Sequence, residues 1–306
     1  MATSRAILIA GATLLAVFAI PAPAAETPRD RGEYLFRAAG CHGCHTDEKN
    51  KGPALAGGPA LKTAFGTFYA PNITPDSVHG IGRWSEADFI HALREGVSPT
   101  GEHYYPTFPY TSYTRLTDAD LRALWGYLRR QPPVTQASKP HQLPWYLRAR
   151  PLMIVWKIFF FSPGQYAPRP GKDEIWNRGA YLAESVVHCG ECHTPRNLLG
   201  AARRDRYFAG TRAGPENSVV PNITPDKKTG IGRWRKNEIA EYLDSGMTPA
   251  GDSAGDLMAE VIDHSTSLLT QADRGAIATY LLSLPPIENV VRKEKGKSKG
   301  RDEFGF

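Results

Sequence analysis

Cys41-His42-Gly43-Cys44-His45 and Cys189-Gly190-Glu191-Cys192-His193 both read C-x-x-C-H, and between them they hold all four cysteines of the chain. The spacing has a chemical reason. Two thiols one short turn apart can each add across one vinyl group of the same porphyrin, and the histidine that follows the second Cys then lies beneath the iron as proximal ligand. The pattern therefore predicts two covalent haem c groups, held by Cys41, Cys44, Cys189 and Cys192, with His45 and His193 on the irons. The competing uses of such a pair are a disulfide or a zinc site. Structural zinc needs four protein donors, and no second CxxC lies near either motif.

Outward from these motifs the chain repeats itself. Pro71-Asn72-Ile73-Thr74-Pro75-Asp76 recurs as Pro221-Asn222-Ile223-Thr224-Pro225-Asp226, and Gly80-Ile81-Gly82-Arg83-Trp84 as Gly230-Ile231-Gly232-Arg233-Trp234, both offset by 150. Pro99 and Gly101 match Pro249 and Gly251 in the same frame. Thr117, Asp120, Tyr127, Leu128 and Pro132 match Thr270, Asp273, Tyr280, Leu281 and Pro285, now offset by 153. Upstream, Arg31-Gly32 and Tyr34-Leu35 match Arg178-Gly179 and Tyr181-Leu182. A repeat of this length predicts a tandem duplication. The expected layout is residues 26–135 for domain 1, 136–172 for a Pro-rich connector, 173–290 for domain 2, and 291–306 for a basic tail.

Local signals make each domain mainly α. Residues 29–39 read as a first helix. Ser85 with Asp88 starts another, which Gly96 ends. Thr117 with Asp120 and Thr270 with Asp273 start a further helix in each copy, closed by Pro132 and Pro285. Long Gly/Pro loops lie between; Gly 29 and Pro 25 together are 54 of 306 residues, high for a folded chain but below low-complexity composition. Few helices per ~110-residue domain leave a small core, which the haems are expected to fill.

Residues 1–25 read as a secretory signal peptide: Arg5, the apolar run Ile7 to Ile20, then Ala22 and Ala24 in a small-residue cleavage pattern. The predicted location is periplasmic, either soluble or peripheral on the membrane, since no later stretch reaches ~18 uninterrupted apolar residues. The net charge of +6 comes without a nucleic-acid-binding motif, so an acidic protein partner or anionic lipid is the expected counterpart. Residues 145–161, with Trp145, Tyr146 and Phe159-Phe160-Phe161, are expected to form a belt across both domains or a docking face.

Methionine is the usual partner of His in electron-carrying cytochromes c. Met153 falls in the connector and reads as filler, Met247 as packing, and Met258 as the distal ligand of haem 2. The 150 frame carries Met258 onto Phe108, which cannot ligate iron. Haem 1 is then open, or takes a substitute such as His103, with Tyr104 or Tyr105 behind it. Arg83/Trp84 and Arg233/Trp234 are candidates for haem propionates, and the Pro53 carbonyl for the second bond of the His45 ring.

At this point the sequence resembles the periplasmic cytochrome c subunits of membrane-associated alcohol, gluconate and sorbitol dehydrogenases, and their two-haem relatives. The resemblance rests on the PNITPD and GIGRW runs in both copies, Trp176 through Leu182, and Cys189 through Gly200. It implies class I cytochrome c domains, each wrapped round one haem, and an electron carrier rather than an enzyme. Electrons would pass from a substrate dehydrogenase towards quinone or a terminal oxidase. The chain departs from that pattern in having two CxxCH motifs rather than three, and Phe108 where Met is expected. The alternative expectation is a dihaem peroxidase with haem 1 as the peroxide site, for which Glu102 and His103 are the nearby acid–base candidates.

Overall fold

The computed structural model describes residues 28–291. The expected signal peptide and residues 292–306 of the expected tail lie outside the described residues. Helix α1 (Pro28–Ala38) comes first, and Gly40 in the left-handed region (φ 63°) turns the chain into α2 (Cys41–His45). A hairpin follows, β1 (Ala60–Thr63) against β2 (Gly66–Tyr69), antiparallel with Ala60 opposite Tyr69. Helix α3 (Glu86–Glu95) opens on a reciprocal cap: Asp88 N donates to Ser85 Oγ, and Ser85 N donates to the Asp88 carboxylate. Helix α4 (Tyr110–Tyr113) is a single turn. Helix α5 (Asp118–Leu128) starts where Thr117 Oγ1 accepts from Asp120 N at 3.2 Å.

The connector carries α6 (Leu152–Phe160). The second half then runs α7 (Glu174–Tyr181), α8 (Gly190–His193), α9 (Lys236–Ser245), α10 (Asp256–His264) and α11 (Gln271–Leu282). Thr270 caps α11 as Thr117 caps α5. The predicted helix starts at Ser85, Thr117 and Thr270 are thus the observed ones, and the chain is mainly helical.

Two helix pairs organise the core. Helix α1 crosses α5, and α7 crosses α11. Both crossings are closed by a glycine: a Cβ on Gly32 would fall 2.2 Å from Ala123 O, and one on Gly179 2.0 Å from Ala276 O. Only a residue without a side chain lets the backbones approach this closely. Leu35, Leu121, Leu124 and Leu128 fill the first pair, and Ala180, Ile277 and Leu281 the second; all belong to one continuous buried cluster.

The hairpin was not legible among the Gly/Pro loops. Its strands are four residues each, and they are held from outside: Thr67 and Gln142 of the connector exchange both backbone hydrogen bonds, at 3.0 and 2.9 Å. The connector continues as a belt, as one of the two expectations had it. Met153 and Trp156 are buried against Phe68, Tyr105 and Tyr110, while Trp156 Nε1 donates to Leu199 O of the second half at 2.8 Å. Met153 is therefore filler. Met247, expected to pack, is instead 47% exposed in the turn after α9.

Candidate haem-binding site

The two CxxCH segments sit at corresponding places, each directly after the first helix of its half. Each histidine is fixed by the same bond. His45 Nδ1 lies 2.7 Å from Pro71 O, and His193 Nδ1 lies 2.8 Å from Pro221 O. A carbonyl only accepts, so Nδ1 carries the proton in both rings and Nε2 keeps its lone pair. That is the tautomer an iron ligand needs, with its orientation set by the second nitrogen. Burial also pulls both imidazoles below their ordinary pKa, which keeps them neutral.

The acceptor is not Pro53, whose carbonyl takes Ala56 N in a local turn. The prolines that serve both rings open the repeated PNITPD run. Asn72 shows why they are placed so. Its Nδ2 donates to Val134 O and Gln136 O, and its Oδ1 accepts from Thr74 N and Oγ1. Asn222 repeats the pattern with Ile287 O, Thr229 Oγ1 and Thr224. A buried asparagine with its amide fully used pins the preceding carbonyl. The repeat was visible in the sequence; its role was not, because a carbonyl carries no side-chain signal.

The cysteines are unpaired. Burial pushes the Cys41 and Cys189 thiols up to about 12. They stay protonated at neutral pH, the state in which an S–H group adds across a vinyl group. In each half corresponding half-buried apolar residues pack against the core cluster that Cys41 and Cys189 also touch: Ile73, Trp84 and Phe108 in the first, Ile223, Trp234 and Met258 in the second. An apolar planar group fits such a lining, and the donor set of two thiols and one neutral imidazole fits covalent haem.

The backbone keeps Phe108 and Met258 in register. Tyr104 N donates to Gly96 O as Ala254 N does to Gly246 O, and Phe108 N donates to Tyr105 O as Met258 N does to Gly255 O. Two of the substitutes suggested for haem 1, His103 and Tyr105, have polar partners elsewhere. His103 Nδ1 meets Lys157 Nζ at 3.0 Å, in an alcove shared with the connector. Tyr105 donates to Leu147 O. Tyr104 packs edge-on against Phe108. Arg83 and Arg233 are exposed.

The two motifs face each other's half. Glu191, inside the second motif, accepts from Thr111 and Ser112 at 2.7 Å each and from Arg196 at 2.6 Å. Burial would raise its pKa, but Arg196 and the two hydroxyls more than offset that and hold it below the usual carboxylate value. Gly43 of the first motif lies against His264 of α10.

Comparison with known proteins agrees with this chemistry. Residues 30–132 match the family model "Cytochrome c". A protein of Cereibacter sphaeroides named "Diheme cytochrome c-type" is 45% identical over 84% of this chain and 86% of its own length. The "Fructose dehydrogenase cytochrome subunit" of Gluconobacter japonicus is 41% identical over 93% of this chain and 58% of its own length. The "Gluconate 2-dehydrogenase cytochrome c subunit" of Pantoea cypripedii is 37% identical over 83% and 59%. The chain thus spans little more than half of these dehydrogenase subunits but most of the diheme protein. It belongs to the cytochrome c family, in the branch that includes diheme c-type cytochromes and the cytochrome c subunits of fructose, alcohol and gluconate dehydrogenases.

Proposed function

We propose that the chain is an exported, periplasmic dihaem electron carrier, built as two cytochrome c domains that each surround one haem. The observation that carries this reading is the paired bond from His45 Nδ1 to Pro71 O and from His193 Nδ1 to Pro221 O. When bound, each haem supplies an iron that takes up and returns one electron. Cys41 and Cys44 hold the first and Cys189 and Cys192 the second, by thioether bonds. His45 and His193 present Nε2 to the irons. Met258 would offer a thioether sulfur to the second haem, and Phe108 would offer no ligand atom in the corresponding place, so the second haem would be the higher-potential centre.

The carrier would accept electrons from a substrate dehydrogenase and pass them towards quinone or a terminal oxidase, without itself being an enzyme. The relatives named as dehydrogenase subunits support the upstream half of that route. The exposed face of α6, with Ile158 and Phe159 both more than 70% exposed, supports a peripheral docking face for a partner or bilayer. Among the described residues no helix is long and apolar enough to cross a membrane. The peroxidase alternative loses its acid–base pair, because His103 is turned to Lys157 and Glu102 is at the surface.

The test is a pyridine haemochrome count with a spectroelectrochemical titration of the mature protein. Two haems per chain and two one-electron transitions are expected. One haem, or peroxide turnover with a reduced donor, would overturn the reading.

A further inference from the structure

We propose that His42, Glu48 and His264 form a zinc site that clasps the two halves of the chain together beside the first CxxCH motif. His42 lies in α2, Glu48 in the turn after it, and His264 in the last turn of α10, so the cluster joins segments more than 200 residues apart. His42 Nε2 is 2.8 Å from Glu48 Oε1, and His264 Nε2 is 3.4 Å from Glu48 Oε2. The three donor atoms all fall within 4.8 Å of one another, and the two imidazoles lie 5.4 Å apart between centroids.

Tetrahedral zinc with bonds of about 2.0–2.1 Å sets its donors roughly 3.3 Å apart. His42 Nε2 and His264 Nε2 stand near that spacing from the two separate oxygens of Glu48, at 2.8 and 3.4 Å. Closing the remaining distance asks only for small side-chain rotations, which half-exposed rings and an exposed carboxylate allow. The chemistry of the set selects the ion. Two imidazole nitrogens and one carboxylate oxygen suit zinc with a fourth position for water, whereas calcium and magnesium prefer oxygen alone. His42 Nδ1 lies 3.4 Å from the buried Thr46 Oγ1, a hydroxyl that can accept from it once an ion displaces the Nε2 proton now given to Glu48. The adjacent Lys49 does not compete for Glu48, because its Nζ pairs with Glu260 at 3.0 Å.

The site's donors differ from the proposed haem ligands, with His42 standing between Cys41 and Cys44. Its consequence is mechanical. His264 rests on Gly43, so an ion shared by His42 and His264 holds α10 against the first attachment segment.

Isothermal titration of the haem-loaded protein with Zn²⁺ tests the site, with thermal unfolding as a second readout. One zinc per chain at micromolar affinity and a rise in Tm are expected. Both should weaken at least tenfold or vanish in His264→Ala and in Glu48→Gln, and stay unchanged in His91→Ala. Should His264→Ala fold poorly, Glu48→Gln decides, since it keeps the side chain's shape and removes its charge. No uptake at 100-fold excess zinc, or uptake that survives Glu48→Gln, would overturn the proposal.

Discussion

Tyr34, in the first half of the chain, donates its hydroxyl hydrogen bond to Asp273 in the second. The relation has a mirror: Tyr181, the counterpart of Tyr34, donates to Asp120, the counterpart of Asp273. Each aspartate also takes an arginine from its own half, Asp120 from Arg31 and Asp273 from Arg178. Each tyrosine oxygen in turn accepts from the N-cap amide of the opposite helix, Thr117 N at 3.2 Å and Thr270 N at 3.3 Å. The two halves therefore meet as an isologous pair does, the same patch used twice.

Phe at position 34 or 181 keeps the ring and removes both the hydrogen bond to a buried carboxylate and the longer one from the N-cap amide. Each substitution should cost about 1.5–3 kcal/mol of stability, and the two costs should be alike. Denaturant unfolding of the haem-loaded variants measures them; a loss confined to one variant would show that the two contacts are not equivalent. Asp273 adds a pH signature. Burial would raise its pKa, but Arg178 and Tyr34 more than offset this and hold it below the ordinary carboxylate value. A depressed carboxylate contributes stability above its unfolded pKa of about 3.9 and loses it as pH falls through the folded value. Asp273→Asn should therefore flatten the acid limb of the stability curve below about pH 4.

Lys157 gives the opposite sign. Its ammonium is buried and donates to Glu95 O at 2.6 Å and Gly96 O at 2.8 Å, with His103 Nδ1 at 3.0 Å. Burial lowers its pKa to about 8, with the Glu95 charge opposing. Between about pH 8 and the unfolded value of about 10.4 the unfolded chain binds the extra proton, so stability should rise with pH across that window. In Lys157→Met that rise should disappear, read from Tm at pH 8 and pH 10 against wild type. An unchanged slope would mean that Lys157 stays charged.

Gly96 and Gly246 end α3 and α9 at corresponding positions, both left-handed at φ 65° and 76°. Alanine at either should cost about 1–2 kcal/mol for that conformation alone. Their surroundings differ. A Cβ at 96 would lie 2.6 Å from the ring of the fully buried Tyr110, whereas at 246 its nearest neighbour is Ala254 Cβ at 3.2 Å. Gly96→Ala should then exceed Gly246→Ala by a further 1–3 kcal/mol or so, the usual range for overpacking. Equal losses would show that Tyr110 yields without cost.

How far the sequence could be read depends on where the information sits. Side chains that act by themselves were legible: the Ser85, Thr117 and Thr270 caps. Relations that need a partner were not. Arg31, Tyr34, Asp120 and their counterparts were visible as repeats, but a repeat does not say which copy pairs with which. The Pro71 and Pro221 carbonyls were missed because a backbone acceptor leaves no residue signature, and the nearer Pro53 was the natural guess. The hairpin was hidden by strands of four residues that the connector, 72 and more residues on, completes.

The distal positions set the last prediction. Phe108 and Met258 share a backbone register, yet only one carries a ligand atom, so the two sites should respond differently to carbon monoxide. The reduced wild-type protein should bind one molecule per chain, at haem 1. Met258→Ala should open the second site, giving two, and lower the potential of haem 2. Phe108→Met should close the first, giving none, and raise the potential of haem 1. Optical titration of the reduced protein counts the adducts. No binding in wild type would mean that another side chain reaches the first iron, and an unchanged count in Met258→Ala would remove Met258 as a ligand. The register argument fails if Phe108→Met leaves both count and potential unchanged, since a thioether placed as Met258 is proposed to be would change the iron it ligates.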